Sequence, residues 1–200
     1  MKIHSENSSS GRGKEYCRRV IEELAAQQRG LLTSAQARRM GLSSSRLAQL
    51  TADGDLERIC NGVYRLPGAA PDKHVRLRVL WMCLEPESTA NERLSRLDPG
   101  GVVSHHTAAS MHCLGHVCGD SVEFATRSMK RSRRPGVRLH QADLSRSDWT
   151  VVDGLPVTTV LTTTCDLAQS TMGDSDFTNV VRDALVKYQV DFSQIGASLS

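Results

Sequence analysis

Residues Leu31 to Pro67, LLTSAQARRMGLSSSRLAQLTADGDLERICNGVYRLP, restrict the fold more than any other stretch of the chain. Thr33 and Ser34 can cap a helix N-terminus by accepting from its unpaired backbone N–H groups, and Ala35, Ala37 and Met40 are its apolar positions. Gly41 can take the left-handed conformation that ends a helix, and the serine run after Leu42 can cap the next one. A second helix is expected over Ser44 to Ala52, burying Leu47 and Leu50 at i, i+3 while Ser44, Ser45, Arg46 and Gln49 face outward. Two strand-like runs follow, Leu56 to Cys60 and Val63 to Leu66. Asn61-Gly62 separates them, the pair that best tolerates the positive φ angles of a two-residue hairpin turn. A hairpin alone would suit any small α+β domain. Placed directly after two short helices joined by a tight turn, it completes a winged helix-turn-helix.

Such a unit reads DNA with the N-terminal part of its second helix, and the residue types fit. Arg can bond bidentately to guanine and Gln to adenine in the major groove. Ser44, Ser45, Arg46 and Gln49 are therefore the candidates for base-edge or phosphate contact. Arg38 and Arg39 would anchor the backbone from the preceding helix, and Arg58, Asn61 and Arg65 from the wing.

Charge is distributed to match. Residues 1–80 carry 14 Lys and Arg against 8 Asp and Glu, whereas residues 81–200 carry 11 against 14. A basic front half joined to a slightly acidic back half suits a DNA reader fused to a protein-binding or sensory domain. The start MKIHSENSSSGRGK has no apolar core of a secretory signal, and no apolar run approaches a membrane span, so a cytoplasmic protein with no membrane partner is expected. Six cysteines, Cys17, Cys60, Cys83, Cys113, Cys118 and Cys165, form no CxxC pair and read as reduced, mostly buried thiols.

Along the chain, residues 1–14 read as a disordered tail in which Lys2, Arg12 and Lys14 could form a basic arm. Glu15 to Arg29 reads as a helix with Cys17, Val20, Ile21 and Leu24 in one stripe, so the winged unit spans 15–68. Pro67-Gly68 and Pro71 mark a domain boundary, and a second domain follows over 72–200. There, Lys73 to Leu84 is helical in pattern with Val75, Val79, Met82 and Cys83 facing a core. Ser88 to Leu97 is either a short helix or a surface excursion. Val102 to Ser104 reads as a strand feeding a helix from His105 to Leu114. Ser121 to Thr126 and Gly136 to His140 are strands that can pair across the loop Arg127 to Pro135. Asp153-Gly154 marks a second hairpin between Thr150–Val152 and Leu155–Val157, with helices after it at about 160–169 and 176–188.

These stretches carry a resemblance. The winged unit followed by VVSHHTAASMHCLG, VEFAT, RRPGVRLH and DGLPVTTVLTTTCDLAQS, in that order over roughly residues 15–190, resembles the AbiEi family of type IV antitoxins and transcriptional regulators. The resemblance implies an α+β fold, an N-terminal winged helix-turn-helix followed by a mixed α/β antitoxin-like domain. It also implies a repressor that binds double-stranded DNA at its own operator and counteracts a nucleotidyltransferase toxin. Separately, the absence of known catalytic motifs leads us to expect no enzymatic activity and no cofactor. The late motif departs from the family pattern: Thr162 or Thr163 stands where relatives carry an Arg, while Asp166, Leu167 and Ala168 are kept. Two other functions fit the same residues, a stand-alone winged-helix regulator with no toxin and a protein-interaction module that does not bind DNA.

Two further clusters bear on chemistry. His105, His106, His112, Cys113, His116 and Cys118 crowd together but lack the paired spacing that structural zinc prefers, so no metal site is assigned to them. The run Lys130, Arg131, Arg133 and Arg134 is the densest positive segment, suited to DNA phosphates or an acidic partner and equally to a solvated loop. No phosphate-binding loop, HExxH or GxSxG is present, and Glu123 with Lys130 does not have nuclease spacing.

Overall fold

A computed structural model of the chain describes residues 7–117, 119–128, 134–170, 173–191 and 193. The fold is α+β and divides into two compact units, Met1–Arg93 and Leu94–Ser200. Among the described residues no helix is long and apolar enough to cross a membrane.

The first unit opens with α1 (Asn7–Ala26), which buries the anticipated stripe Cys17, Val20, Ile21 and Leu24 against Leu32, Ala37, Leu42, Leu47, Leu50 and Leu56. The helix starts at Asn7 rather than Glu15, so residues 7–14 of the expected tail are helical, and residues 1–6 lie outside the described ones. Once the packed stripe nucleates a helix, each further turn costs only the weak propensity penalty of its Ser and Gly residues. Then come β1 (Leu31–Thr33), α2 (Ser34–Arg39), α3 (Ser44–Ala52), β2 (Glu57–Cys60) and β3 (Val63–Arg65), the strands forming an antiparallel sheet in the order β1-β3-β2. This is the winged helix-turn-helix. At Gly30, φ is +82° and a Cβ would come within 2.3 Å of the Ala69 Cβ, so only glycine lets the chain turn into β1 there.

The boundary expected near Pro71 shifts to Arg93. α4 (Val75–Leu84) and α5 (Ala90–Leu94) follow the wing, and a buried amide network ties their connection to the helix-turn-helix. Gln28 and Gln36 bond each other at 3.0 Å, Gln36 Nε2 donates to the Ser88 carbonyl at 2.8 Å, and the Ala90 N–H donates to Gln28 Oε1 at 3.1 Å. Thr33 Oγ1 donates to the Pro86 carbonyl. α4 buries Leu77, Val79, Trp81 and Met82, whereas Val75 and Cys83, expected in the core, are half-buried. Arg93 donates to the Trp81 carbonyl at 2.7 Å with its guanidinium over the Trp81 ring. The segment that could be helix or excursion is thus a one-turn helix packed inside the first unit.

The second unit contains β4 (Val102–Val103), α6 (His105–Met111), β5 (Val122–Thr126), β6 (Val137–Gln141), β7 (Trp149–Val152), β8 (Leu155–Thr158), α7 (Val160–Ala168) and α8 (Asp174–Tyr188). Its sheet has the order β6-β5-β4-β8-β7. The β7–β8 hairpin turns on Asp153 and Gly154, both at positive φ, as the sequence pair demands. β5 and β6 pair in parallel, so the segment between them returns the chain along the strand rather than closing a hairpin. That register sets Arg138 opposite Glu123, an opposite-charge pair that favours the alignment. Ala109, Leu114, Val160, Leu167, Val180 and Ala184 form a core between the three helices. Thr162 and Thr163 bond Thr159 Oγ1 at 2.9 Å and Thr158 Oγ1 at 2.7 Å and so fasten the start of α7.

Candidate nucleic-acid interface

The helix-turn-helix is fixed by caps at both of its helices. Thr33 Oγ1 accepts from the Gln36 N–H at 3.0 Å and Gln36 Oε1 accepts from the Thr33 N–H at 2.9 Å, a reciprocal capping box for α2. Met40 and Gly41 close the turn, with Gly41 at φ +86°, and Ser43 Oγ accepts from the Arg46 N–H at 3.2 Å to cap α3.

α3 buries Leu47 and Leu50, which turns Ser45, Ala48, Gln49 and Ala52 to solvent, with Ser44 exposed at its first turn. Arg46 is not on that outward stripe. It is half-buried on the shoulder of α3, its Nε donating to Cys17 Sγ at 3.3 Å. Gln49 Nε2 donates to Asp53 Oδ1 at 2.7 Å, and Lys14 of α1 lies 3.4 Å from the same carboxylate. The Gln49 bond first, then Lys14, hold the Asp53 carboxyl below the usual range. Ala48 is the position that reading residue by residue passes over, because its exposure follows only from the helix phase; its methyl suits contact with a thymine methyl.

The flanking cations divide into engaged and exposed ones. Arg39 forks onto Glu92 at 3.0 and 3.1 Å and also donates to the Glu87 carbonyl at 2.6 Å. That fork raises the Arg39 pKa and holds the Glu92 carboxyl down at about 2. Arg38 stands 3.6 Å from Glu87. Both pairs are solvent-exposed, and such pairs are worth little and yield readily to a phosphate. In the wing, Arg58 Nη2 donates to Asn61 Oδ1 at 3.0 Å with both residues exposed, whereas Arg65 Nη2 donates to the Ala69 and Ala70 carbonyls and straps down the segment after β3. Only Gly62 of the Asn61-Gly62 turn has positive φ. A bulge between Arg58 and Cys60 supplies the twist that a turn with two positive φ angles would otherwise provide.

In the second unit, Lys130, Arg131, Arg133 and Cys118 lie outside the described residues, and Arg134 is exposed. The His/Cys-rich stretch separates: His105 and His106 open α6 beside Glu123, and the buried His112 bonds the Thr158 carbonyl at 2.7 Å. Cys113 and His116 are exposed beyond the end of α6, so His112 and His116 do not share a helix face. Among the described residues no group of three or more His, Cys, Asp or Glu is arranged to hold a metal ion.

Residues 19–67 match the sequence profile of a family described as "Transcriptional regulator, AbiEi antitoxin". That match supports the resemblance to AbiEi antitoxins, and it covers the winged unit from within α1 to the end of the wing. A solved structure, "Crystal structure of RV2827C protein from Mycobacterium tuberculosis", is similar in fold with a TM-score of 0.56 and 14% sequence identity, covering 92% of this chain and 71% of that one. No curated protein matches.

Proposed function

We propose that this chain is a DNA-binding antitoxin of the type IV kind, a cytoplasmic repressor of its own operon that counteracts a nucleotidyltransferase toxin. The observation that carries the reading is the exposed stripe of α3, Ser45, Ala48 and Gln49, in one winged unit with the half-buried Arg46 and the exposed Arg58 and Asn61 of the wing, inside the segment that matches the AbiEi profile. Gln49 releases Asp53 to bond an adenine edge, Ser44 and Ser45 reach phosphate or base edges, and Arg38, Arg39, Arg46 and Arg58 meet the backbone. Arg65 contributes indirectly by fixing the base of the wing.

Fluorescence anisotropy with DNA from upstream of the gene, against scrambled DNA across a salt series, tests the operator reading. Selective binding that weakens steeply with salt is the expected result. Equal affinity for both sequences, or none, turns the winged unit into a protein-docking fold. Co-expression with the nucleotidyltransferase encoded nearest the gene tests the toxin half: growth restored by this chain supports it, and unrelieved toxicity leaves a stand-alone regulator.

A further inference from the structure

The stretches outside the winged unit that carry the resemblance converge at one place in the second unit. His105 and His106 come from α6, Glu123 from β5, Arg138 and His140 from β6, and Asp166 from α7. Glu123 is the centre, its side chain 3% exposed. Its Oε2 accepts from the His106 backbone N–H at 2.9 Å and lies 3.0 Å from His106 Nδ1, while its Oε1 lies 3.2 Å from His140 Nε2 and 3.8 Å from Arg138 Nη1. Burial works to raise the Glu123 carboxyl, but the bonds from His140 and His106 hold it at about 2, so it is ionised throughout the working range of pH.

An ionised carboxylate can only accept, so the imidazole nitrogens that face it carry the protons. His106 Nε2 and His140 Nδ1 are left over, and among the described residues neither meets a partner. Their side chains are 24% and 26% exposed, open enough to touch a ligand. His105 stacks on His140 with ring centroids 3.6 Å apart, and its backbone has φ +50°. A side chain at positive φ is strained and persists where its surroundings dictate it, which is common at functional sites.

We infer that this cluster is an acid–base site that cleaves phosphodiester bonds in RNA, with His106 and His140 transferring protons, Glu123 positioning both imidazoles, and Arg138 facing the phosphate. Among the described residues the cluster offers no hydroxyl nucleophile of its own, since Ser104 is fully buried and Thr107 Oγ1 accepts from the Glu123 N–H. The attacking oxygen is then either solvent water or one that the substrate brings; the ribose 2′-hydroxyl beside each RNA phosphate is the one proposed, and DNA and 2′-O-methyl RNA, which lack it, separate the two. The neutral imidazole of the pair takes the 2′-hydroxyl proton as the O2′–P bond forms. The protonated one gives its proton to O5′ as the P–O5′ bond breaks. The products are a 2′,3′-cyclic phosphate and a free 5′-hydroxyl, and the two imidazoles have exchanged protonation states.

The test incubates the full chain with a 5′-labelled mixed-sequence RNA oligonucleotide and with its DNA and 2′-O-methyl counterparts. RNA fragments ending in cyclic phosphate, identified by mass spectrometry, with a bell-shaped pH–rate profile and intact counterparts, are expected. His106→Gln and His140→Gln should each lower the rate by about 100-fold or more. Arg138→Ala, at an exposed side chain, should lower it by at least about tenfold with an unchanged melting curve. Glu123→Gln should reduce the rate and displace the pH profile, a shift that a packing defect alone does not produce. RNA left intact by the folded chain overturns the proposal. So does cleavage at the same rate by folded His140→Gln and Arg138→Ala, which betrays a contaminating ribonuclease. Those two variants decide the matter if His106→Gln does not fold.

Discussion

In the first unit Arg78 and Asp72 close a 2.8 Å ion pair with side chains 4% and 5% exposed, while in the second unit the equally buried Glu123 meets imidazoles that are about a quarter exposed. The surroundings of the two carboxylates differ in what they leave over. Asp72 accepts from Arg78 Nε and from the His74 N–H, and elsewhere in the unit Gln28 and Gln36 bond each other and backbone groups while Arg93 donates to the Trp81 carbonyl and lies 3.9 Å from Glu85. Around Glu123 each imidazole keeps one nitrogen clear. A buried polar group whose partners are all internal holds a scaffold together; one whose partners retain open valences toward solvent is equipped for chemistry. On the proposed readings the units differ in the same way, the first presenting its chemistry on the exposed faces of α3 and the wing and the second at the part-exposed imidazoles beside Glu123.

The sharpest way to break the contrast is at Arg78. Replacing one member of a buried ion pair leaves the other charge without compensation, which costs about 3–5 kcal/mol. Arg78→Ala should therefore lower the stability of the first unit by about that amount in urea unfolding followed at Trp81, with Trp149 replaced by Phe so that each unit has its own reporter. The double variant Arg78→Met with Asp72→Leu should recover most of the loss. If Arg78→Ala is benign, the pair is not scaffolding and the distinction fails.

The second-largest effect is in pH dependence, and it belongs to the second unit. His105 is brought down from 6.5 to about 4 by burial and by His140, so the unfolded chain binds its proton first and stability is lost as pH falls from 6.5 toward 4. Asp166 is pushed up from 3.8 to about 6 by burial, so the folded chain binds that proton first and stability is gained as pH falls from 6 toward 3.8. The two oppose each other across the same window. The loss associated with Glu123 begins only as pH falls from 4.5 toward about 2. His112, also held down by burial, adds a loss of the same sign as that of His105 below pH 6.5. Melting temperatures followed at Trp149 should therefore fall gently between pH 6 and 4.5 and more steeply below that. Asp166→Asn should raise stability at neutral pH and steepen the decline from about pH 6.5, whereas His105→Gln should flatten it. Parallel curves for the two variants would mean that His105 and Asp166 do not act through burial of their charges.

Much of this was legible in the sequence because it rests on local chemistry. Thr33, Gly41, Ser43, Asn61-Gly62 and Asp153-Gly154 punctuate the chain through backbone preferences, and the elements between them fall almost where those residues require. What the sequence did not disclose depends on distant partners. The boundary at Arg93 is set by Gln28 and Gln36 reaching Ser88 and Ala90, and no periodicity records an amide network that spans more than 50 residues. β1 is too short to show alternation. The parallel direction of β5 and β6 is not written in their alternation, which suits either direction, and shows only in the register that sets Glu123 opposite Arg138. The Glu123 cluster draws on four separate elements, so its members read singly as a strand carboxylate and a group of histidines; only their presence in the stretches that carry the family resemblance hinted that they belong together.

The smallest expected effect tests whether the chemistry of the first unit does lie on its exposed faces. Arg58 and Gln49 sit on different elements and meet different parts of a duplex. Arg58→Ala removes one phosphate contact from the wing and should weaken binding to cognate and scrambled DNA alike, lowering the slope of log K against log salt by about 1. Gln49→Ala should leave that slope unchanged and remove about 1–3 kcal/mol of discrimination at one base pair. Neither side chain is buried, and Asp53 keeps Lys14 when Gln49 is gone, so the urea midpoint read at Trp81 should be unmoved in both variants. Loss of stability in either would place that residue among the scaffold bonds of the first unit instead of on a reading surface. An altered salt slope for Gln49→Ala would instead mean that α3 lies along the backbone rather than in the groove.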